Sequence, residues 1–364
     1  MKITIVAGAR PNFMKIAPII HEIERQQKLG ATISYRLIHT GQHYDKNLSD
    51  TFFKELAIPA PHKNLEVKSG TQAEQTGAIM VGFEKELEAH PCDLVLVVGD
   101  VTSTMACTIV AKKAHIKVTH VEAGIRSGDL KMPEEINRIV TDSITDYFFT
   151  TSEKATNYLH SIGNTEKNTF FVGNVMIDTL LSNLNRLKQP AFWEEKGLQE
   201  KNYYVLTLHR PSNVDALEGF SKLLSLIVQK ANKLPIIFPV HPRTQKILKE
   251  ANLVFENLHY VSPQGYLNFI YLVKQAKAIL TDSGGITEEA SVLNVPCITF
   301  RDSTERPETC VLGTNILVGN NTHLIEEAFN KLQSGNWQQA KPIPKWDGKA
   351  SQRIVEILLK LHEG

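Results

Sequence analysis

The sequence lacks the marks of several classes of protein. Its four cysteines show no CxxC spacing, which argues against a zinc site and a disulfide framework and fits a reducing cytoplasm. No segment approaches the roughly 20 apolar residues of a membrane span, and the first apolar run, ITIVAGA, stops at Arg10, too short for a signal peptide. Forty Lys and Arg residues against 39 Asp and Glu residues leave a formal charge of +1. We therefore expect no nucleic-acid or membrane partner, and any bound anion must be held locally.

Two kinds of ligand-binding motif are missing as well. The GxGxxG fingerprint, which brings a backbone close to a dinucleotide pyrophosphate, is absent, and this argues against NAD. Among the 13 histidines, His39 and His43 are spaced as HxxxH, but the HExxH motif of zinc enzymes does not occur. The sequence therefore predicts that the protein uses neither a cofactor nor a metal ion.

The sequence does contain a regular alternation of short and long apolar patterns. Short β-branched runs alternate with segments whose apolar residues recur every three or four positions, which indicates strands and helices in turn. We predict an α/β chain with two doubly wound, Rossmann-like domains, 1–172 and 173–348, and a last helix, 349–364, that packs back on the first domain. Helices are predicted at 70–88, 216–232 and 349–361. The predicted strands are ITIVAG, YRLIHT, LVLVVG, KVTHVE, YFFTT, TFFVG, YYVLTLH, PIIFPV, LHYVS, AILTD, CITF and NILVG.

The loop after the first strand, GARPNFMK, suits an anion. Ligands of open α/β sheets bind at the carboxyl ends of strands. Here Gly8 permits a tight turn and Pro11 suits the first turn of a helix, while Arg10 and Lys15 add positive charge. The alternative is a solvated turn with two surface cations.

The segment TDSGGITEEA forms a second candidate site. Ser283, Gly284 and Gly285 lie between a strand and a helix, where a phosphate can approach the backbone at the helix N-terminus. Glu289 suits two ribose hydroxyls, and Arg306 in RDSTERPE adds a cation. A small-residue turn and a solvated helix face are the alternatives. Two half-sites in two domains indicate a nucleotide-linked ligand held by both.

Seven motifs occur in order between residue 3 and about residue 319: GARPNFMKIAP, VVGDVTST, HVEAGIRSGDLKMPEEINR, TLHRPSN, VHPRT, TDSGGITEEA and RDSTERPE. Together they resemble the non-hydrolysing UDP-N-acetylglucosamine 2-epimerases. The resemblance implies a GT-B-like fold with the active site in the interdomain cleft, and a homodimer. It also implies interconversion of UDP-N-acetylglucosamine and UDP-N-acetylmannosamine for surface polysaccharide precursors.

Inversion at carbon 2 of such a sugar restricts the chemistry. The hydrogen on carbon 2 is not acidic, because carbon 1 is an acetal and not a carbonyl. Without NAD, the remaining route expels UDP from carbon 1, removes the carbon 2 proton to give a 2-acetamidoglucal, returns a proton to the opposite face and adds UDP again. This route needs a carboxylate to stabilise a cationic transition state, an acid or base on each face, and a firm hold on UDP.

The resemblance also implies which residues meet these needs. It assigns catalysis to Asp100, Glu122, Glu134 and His209, with His209 near the diphosphate; it assigns uracil contacts to Gln264 and Phe269, and a second, allosteric UDP-sugar site to Gln42 and His241.

Each catalytic carboxylate has a structural alternative. Asp100 is also suited to cap the helix that follows it, and Glu122 to form a buried ion pair with Arg126. Glu134 and Glu135, after Pro133, also favour a helix N-terminus through its dipole. The match to the family favours Glu134 over Glu135.

Two further residues are open to a structural interpretation. A lone histidine at a strand end, such as His209, is often only a structural group. On its pattern alone, Phe269 is a core residue of an amphipathic helix.

The chain also departs from the best-known family members. It has HRPSN at 209–213 where many have HRREN, and MPEE where many have WPEE. Pro211 replaces an arginine that assists the allosteric site, so allosteric control stays open. Relatives that act on diacetamido uronic acids or 6-deoxy amino sugars are the closest rivals. A GT-B glycosyltransferase and a UDP-sugar-binding regulator are alternatives from other classes.

Overall fold

The chain forms two compact units in the computed structural model. The structure describes residues 1–41, 53–214, 217–240, 245, 248 and 253–363, apart from the side chains at positions 10, 211, 212 and 363. The first unit comprises Met1–Ser182 together with Pro344–Gly364, and the second comprises Asn183–Ile343.

The first unit is built on a seven-stranded sheet in which every strand pair is parallel. All five residues of its fourth strand, LVLVV, are buried, as expected for a strand covered on both faces. The spatial order is β3-β2-β1-β4-β5-β6-β7. The strands are β1 (Lys2–Ala7), β2 (Ser34–His39), β3 (Lys63–Asn64), β4 (Leu94–Val98), β5 (Lys117–Val121), β6 (Tyr147–Thr150) and β7 (Thr169–Phe171).

Helices follow most of these strands and begin where the sequence supplies a start signal. Thr71 and Glu74 form a capping box at the second helix, and Pro133 occupies the first turn of the fourth. The helices are α1 (Arg10–Lys28), α2 (Gln72–Ala89), α3 (Thr102–Lys113), α4 (Pro133–Ile144), α5 (Glu153–Ser161) and α6 (Val175–Asn183).

The second unit repeats this plan with six parallel strands, in the order β10-β9-β8-β11-β12-β13. The strands are β8 (Tyr204–Thr207), β9 (Ile236–Pro239), β10 (Leu258–Val261), β11 (Ala278–Thr281), β12 (Cys297–Thr299) and β13 (Asn315–Leu317). A 3-10 helix spans Leu184–Arg186, and the α-helices are α7 (Phe192–Glu195), α8 (Pro211–Val214), α9 (Leu217–Lys230), α10 (Tyr266–Gln275), α11 (Gly284–Val292), α12 (Pro307–Val311) and α13 (Thr322–Gln333).

The last helix, α14 (Ala350–Glu363), belongs to the first unit and packs on α1. Its N-terminus is held by the buried carboxylate of Asp178, which accepts hydrogen bonds from the Ala350 amide (3.1 Å), the Ser351 amide (2.7 Å) and the Ser351 hydroxyl (2.7 Å). Because Asp178 lies in α6, that helix stays with the first unit. The boundary therefore falls at residue 182 and not at residue 172, where the sequence placed it.

The structure confirms the predicted α/β class and the two parallel sheets. Each of the 12 predicted apolar runs contains a strand, whereas β3 was not predicted, because two residues carry no pattern. Within the described part of the chain, no helix has both the length and the apolar character needed to cross a bilayer.

The order of the strands locates the ligand-binding edge of each sheet. In the first sheet the order reverses between β1 and β4, and in the second between β8 and β11. Loops at the carboxyl ends of strands at such switch points form the usual ligand crevice of doubly wound sheets. The residues that follow β1, β4, β8 and β11 are therefore the first candidates for a site.

The Asp178 contacts lead to a stability prediction. We expect Asp178→Asn to lower the free energy of unfolding by about 1–3 kcal/mol, because at least one buried donor at the start of α14 loses its acceptor. Urea denaturation followed by circular dichroism measures this change. Asp347→Asn is a matched control, because the Asp347 side chain is 45% exposed in its ion pair with Arg353 and should cost less than about 1 kcal/mol. Equal losses in the two variants would contradict the role of Asp178.

Candidate active site

The loop between β1 and α1 is tied to the end of β4 by Asn12. The Oδ1 atom of this buried side chain accepts hydrogen bonds from the amides of Gly8 (2.9 Å) and Ala9 (3.0 Å). Its Nδ2 atom donates to the Val98 carbonyl at 3.3 Å. Arg10 is the first residue of α1, but its side chain lies outside the described part of the structure. Asn12 thus fixes the backbone on which Arg10 and Lys15 are carried.

Lys15 forms a buried ion pair with Glu122 at the end of β5. The Lys15 Nζ atom lies 2.7 Å from Glu122 Oε2, and the two side chains are only 14% and 3% exposed. Gly99 has a φ of +66°, which L side chains rarely adopt, and a Cβ atom there would lie 2.8 Å from Lys15 Nζ, so glycine is favoured beside the pair. Glu122 has a φ of +71°, an unfavourable backbone conformation of the kind found at functional sites. The predicted partner Arg126 is wrong, because Arg126 pairs with Asp142 instead.

Asp100, two residues after β4, is held by a cation and does not cap a helix. Arg138 Nη1 donates to Asp100 Oδ2 at 2.5 Å, and Asn137 Nδ2 donates to the Asp100 carbonyl at 2.9 Å. The N-cap of α3 is Val101, without a side-chain bond. The Asp100 side chain remains 32% exposed, so its carboxylate is both oriented and accessible.

Glu134 and Glu135 have different environments at the start of α4. Glu135 is buried and accepts hydrogen bonds from the amides of Ser127 (3.0 Å) and Gly128 (2.9 Å) and from Arg138 Nε (2.9 Å). Burial alone raises the pKa of Glu135, but these bonds outweigh burial and hold it below its usual range. Glu134 is half-buried and makes no hydrogen bond or ion pair with the described residues. Glu135 is thus saturated with donors, whereas Glu134 is partly exposed; a catalytic role for Glu134 stays a prediction.

In the second unit, the buried Asp282 organises the loop after β8. Its carboxylate accepts hydrogen bonds from the amides of His209 (3.0 Å) and Arg210 (2.9 Å) and from Asn213 Nδ2 (3.1 Å). Burial raises the pKa of Asp282, but the bonds from His209, Arg210 and Asn213 more than offset it and lower the pKa.

The same carboxylate orients the His209 ring. His209 Nδ1 lies 2.8 Å from Asp282 Oδ1, while the ring stays 64% exposed. Nε2 is therefore the nitrogen that can meet a ligand. His209 has a structural partner and still presents one ring nitrogen to solvent.

The N-terminus of α11 carries the predicted phosphate-binding turn. Ser283 is the N-cap in an extended conformation, and its hydroxyl makes no capping bond, so the first amides of the helix are not occupied by their own cap. A Cβ atom at Gly284 would lie 3.5 Å from Arg301 Nη1, while at Gly285 it would meet no described atom within 4 Å. The turn thus has the open backbone that a phosphate requires.

Glu289 and Arg306, the two charged residues predicted to bind the ligand beside this turn, are both buried. Glu289 accepts a hydrogen bond from the Tyr266 hydroxyl at 3.0 Å, and burial raises its pKa to about 8. The alternative of a solvated helix face for Glu289 is therefore wrong. Arg306 Nε donates to Glu288, so its charge is already balanced by a carboxylate. The proposed contacts of Glu289 with ribose and of Arg306 with phosphate stay predictions.

The structure places the two residues predicted to contact uracil, Gln264 and Phe269. Gln264 Nε2 donates to the Ser262 carbonyl at 2.7 Å, and Phe269 on α10 packs partly buried against a core cluster, as its pattern alone predicted. Their uracil contacts stay predictions. Gln42 and His241 lie outside the described residues. Among the described residues, no group of three or more His, Cys, Asp or Glu side chains is arranged to hold a metal ion.

Four residues at these sites were not singled out from the sequence: Asn12, Arg138, Asp142 and Asp282. Asn12 lies within the GARPNFMK motif, and Asp282 directly follows β11. Arg138 and Asp142 follow Glu134 at intervals of four residues, which places all three on one side of α4. That spacing is a signal that could have identified Arg138 and Asp142.

Known proteins resemble this chain along nearly its whole length. The UDP-N-acetylglucosamine 2-epimerase family model matches residues 24–359. The UDP-N-acetylglucosamine 2-epimerase of Methanocaldococcus jannaschii is 43% identical over 372 residues, covering 98% of this chain and 99% of the relative. The UDP-2,3-diacetamido-2,3-dideoxy-D-glucuronate 2-epimerase of Pseudomonas aeruginosa is 36% identical over 365 residues, covering 99% of this chain and all of the relative.

The fold agrees with a solved structure of this kind. The crystal structure of the M. jannaschii UDP-GlcNAc 2-epimerase in complex with UDP-GlcNAc and UDP superposes with a TM-score of 0.87 at 42% identity, covering 99% of this chain and 100% of that one. The fold of this chain is therefore GT-B-like, with the two parallel-sheet α/β units described above. Because the family model and the relatives match nearly its whole length, this chain belongs to the UDP-N-acetylglucosamine 2-epimerase family.

Proposed function

We propose that the protein interconverts UDP-N-acetylglucosamine and UDP-N-acetylmannosamine by elimination and re-addition of UDP. The observation that carries the proposal is the grouping of Asp100, Glu122 and Glu134 in the first unit. Val98 of β4 is aligned with Val121 of β5, so Asp100 and Glu122 follow two strand ends in register. Glu134 begins α4, whose Arg138 holds Asp100.

The environments of the three carboxylates suit different steps of the reaction. Glu122, in an ion pair with the Lys15 ammonium at 2.7 Å, suits stabilisation of positive charge at carbon 1. Asp100 and Glu134 are more accessible, and we assign them to removal and return of the carbon 2 proton. When the C1–O bond breaks, its electron pair leaves with UDP, and the proton leaves carbon 2 to form the glucal double bond.

The second unit supplies the hold on UDP that this route needs. The departing diphosphate gains negative charge, which the amides of the Ser283–Gly285 turn and the helix dipole of α11 stabilise. His209, oriented by Asp282, adds a donor beside the diphosphate. Gln264, Phe269, Glu289 and Arg306 complete the proposed nucleoside and phosphate contacts, together with Arg10 from the first unit.

We also propose an assembly and a compartment. Ile136 and Ile139 of α4 are 42% and 38% exposed, three residues apart and away from the carboxylate side of the helix. Exposed apolar side chains grouped in this way favour a contact with a second copy, as expected for a homodimer. All four cysteines carry free thiols, which suits a reducing cytoplasm.

Replacement of Glu134 tests the assignment of the catalytic carboxylates. We expect Glu134→Gln to lower kcat about 100- to 10,000-fold, because an acid or base in the transition state is lost, while UDP affinity stays near normal. Steady-state kinetics and calorimetric titration with UDP measure the two quantities. Glu153→Gln is a matched control, because Glu153 is an exposed first-turn glutamate of α5. Near-native turnover in Glu134→Gln would remove Glu134 from the catalytic set.

The elimination route makes a separate prediction for heavy water. Incubation of the protein with UDP-N-acetylglucosamine in D₂O should give epimerised product with deuterium at carbon 2 and at no other ring carbon, because the proton returned there exchanges with solvent. Proton NMR follows both the new anomeric signal and the loss of the carbon 2 signal.

The same experiment separates the rival functions. Oxidation at carbon 4 would return the original hydrogen, and epimerised product without deuterium at carbon 2 would contradict the elimination route. A glycosyltransferase without acceptor would leave the sugar unchanged. If only a diacetamido uronate or a 6-deoxy amino sugar converted, the reaction class would stand and the choice of substrate would be wrong.

The proposed dimer has its own test. We expect the double variant Ile136→Asp/Ile139→Asp to sediment as a monomer, because two charges would have to be buried in the contact. Analytical ultracentrifugation measures the mass. Ile162→Asp, at a position that is 50% exposed after α5, is the control and should leave the dimer intact. A dimer of wild-type stability in the double variant would place the contact elsewhere.

A further inference from the structure

The carboxylate of Asp142, on α4, lies at the centre of a buried network in the first unit. Its side chain is 1% exposed. Oδ1 lies 2.7 Å from His120 Nδ1, while Oδ2 accepts hydrogen bonds from the Gly124 amide (3.0 Å) and from Arg126 Nη1 (2.7 Å). One carboxylate thus joins α4 to the carboxyl-terminal part of β5 and to the loop that follows β5.

His120 extends this network to β4. Its buried ring contacts Asp142 through Nδ1 and the Gly99 carbonyl through Nε2, both at 2.7 Å. A carboxylate oxygen and a carbonyl oxygen are both acceptors, so each ring nitrogen of His120 faces an acceptor. The chain Asp142–His120–Gly99 therefore connects α4 to the residue directly before Asp100.

The residues that the network holds lie next to two of the proposed catalytic carboxylates. Gly99 precedes Asp100, while His120 and Gly124 lie two residues before and after Glu122. Gly124 has no room for a side chain, since a Cβ atom there would lie 2.5 Å from the Ala155 carbonyl oxygen, so the backbone of this loop is closely packed. Any displacement of Asp142 is therefore transmitted to the backbone at both strand ends.

Asp142 also shares a side of α4 with the third proposed carboxylate. Glu134, Arg138 and Asp142 are spaced by four residues and lie in one row along the helix. Glu134 is itself a proposed acid or base, Arg138 holds the Asp100 side chain, and Asp142 holds the backbone beside Asp100 and Glu122. One helix thus carries Glu134, contacts Asp100 through Arg138, and contacts the residues on either side of Glu122 through Asp142.

We propose that Asp142 is a positioning residue for the epimerase reaction: through His120 and the Gly124 amide it fixes the separation of Asp100, Glu122 and Glu134. The inference rests on the proposed function. The carboxylate suits this role because burial alone raises its pKa, whereas His120 and Arg126 outweigh burial and lower it. It therefore remains ionised and able to accept all of its bonds.

Asp142→Asn is the direct test. The amide keeps the size of the side chain but loses the charge and one acceptor, which allows the two strand ends to shift. We expect kcat to fall roughly 100-fold, since a displacement of about 1 Å has that effect on catalytic geometry, while KM stays close to the wild-type value. UDP affinity should not change, because the proposed diphosphate contacts of the second unit are intact.

Asp178→Asn is the matched control for a purely structural effect. Asp178 is also a buried carboxylate of the first unit that accepts backbone amides, but it holds α14 and not the strand ends. We expect Asp178→Asn to lower the unfolding midpoint and to leave kcat per folded molecule unchanged. A kcat in Asp142→Asn equal to that of wild type, or lowered only as much as in Asp178→Asn, would overturn the proposal.

A pair of variants at His120 tests the proposed positioning role even if Asp142→Asn does not fold. Glutamine carries an amide N–H close to the position of Nε2 and can still donate to the Gly99 carbonyl, whereas leucine cannot. We expect His120→Gln to keep at least tenfold more kcat than His120→Leu, with equal KM; equal kcat values would overturn the proposal. The wild-type rate in the same assay tests the proposed function itself, because the absence of any epimerisation there would reject the function whatever the variants do.

Discussion

Burial of a carboxylate is unfavourable unless cations or hydrogen-bond donors compensate it, and this constraint shapes both sites of the protein. In the first unit, Glu122 pairs with Lys15, and Glu135 pairs with Arg138 and accepts two amide hydrogen bonds. Asp142 contacts His120, Arg126 and one backbone amide. The second unit follows the same rule, since Asp282 contacts two amides, the Asn213 side chain and the His209 ring, and Glu288 pairs with Arg306. Glu134, which is neither fully buried nor paired with a described residue, stands out against this background as a group available for proton transfer.

Parallel strand pairing places these groups where they can act together. Strands β4 and β5 are in register, so their carboxyl ends present Asp100 and Glu122 at one edge. The helix α4 then contributes Glu134, and its side chains at the next two turns secure the loops that carry the other two. The same topology in the second unit brings His209 and Asp282 together, because β8 and β11 are neighbours at the reversal of strand order. Two similar sheets therefore supply different chemistry through the residues at their switch points.

Local backbone strain accompanies this arrangement. Glu122 adopts a φ of +71° although it is not a glycine. Such a conformation costs about 1–3 kcal/mol and persists only where the surroundings hold it. The Asp142 network supplies that support, because Asp142 contacts His120 and Gly124, which lie on either side of Glu122. The strained residue and the network that surrounds it are best understood together.

The sequence by itself determined the fold class, the strands and the edge of each sheet at which to look. Apolar periodicity and the residues that end each run are local properties, so YYVLTLH or KVTHVE can be identified without knowledge of their neighbours. Only the tertiary structure decided which charged residues pair. In the structure, Glu122 pairs with Lys15, 107 positions away, and not with Arg126. Glu135 is surrounded by hydrogen-bond donors, whereas Glu134 is not. His120 connects Asp142 to Gly99. Pairing depends on which distant segments come into contact and on how far each carboxylate is buried. The local spacing of residues in the sequence determines neither.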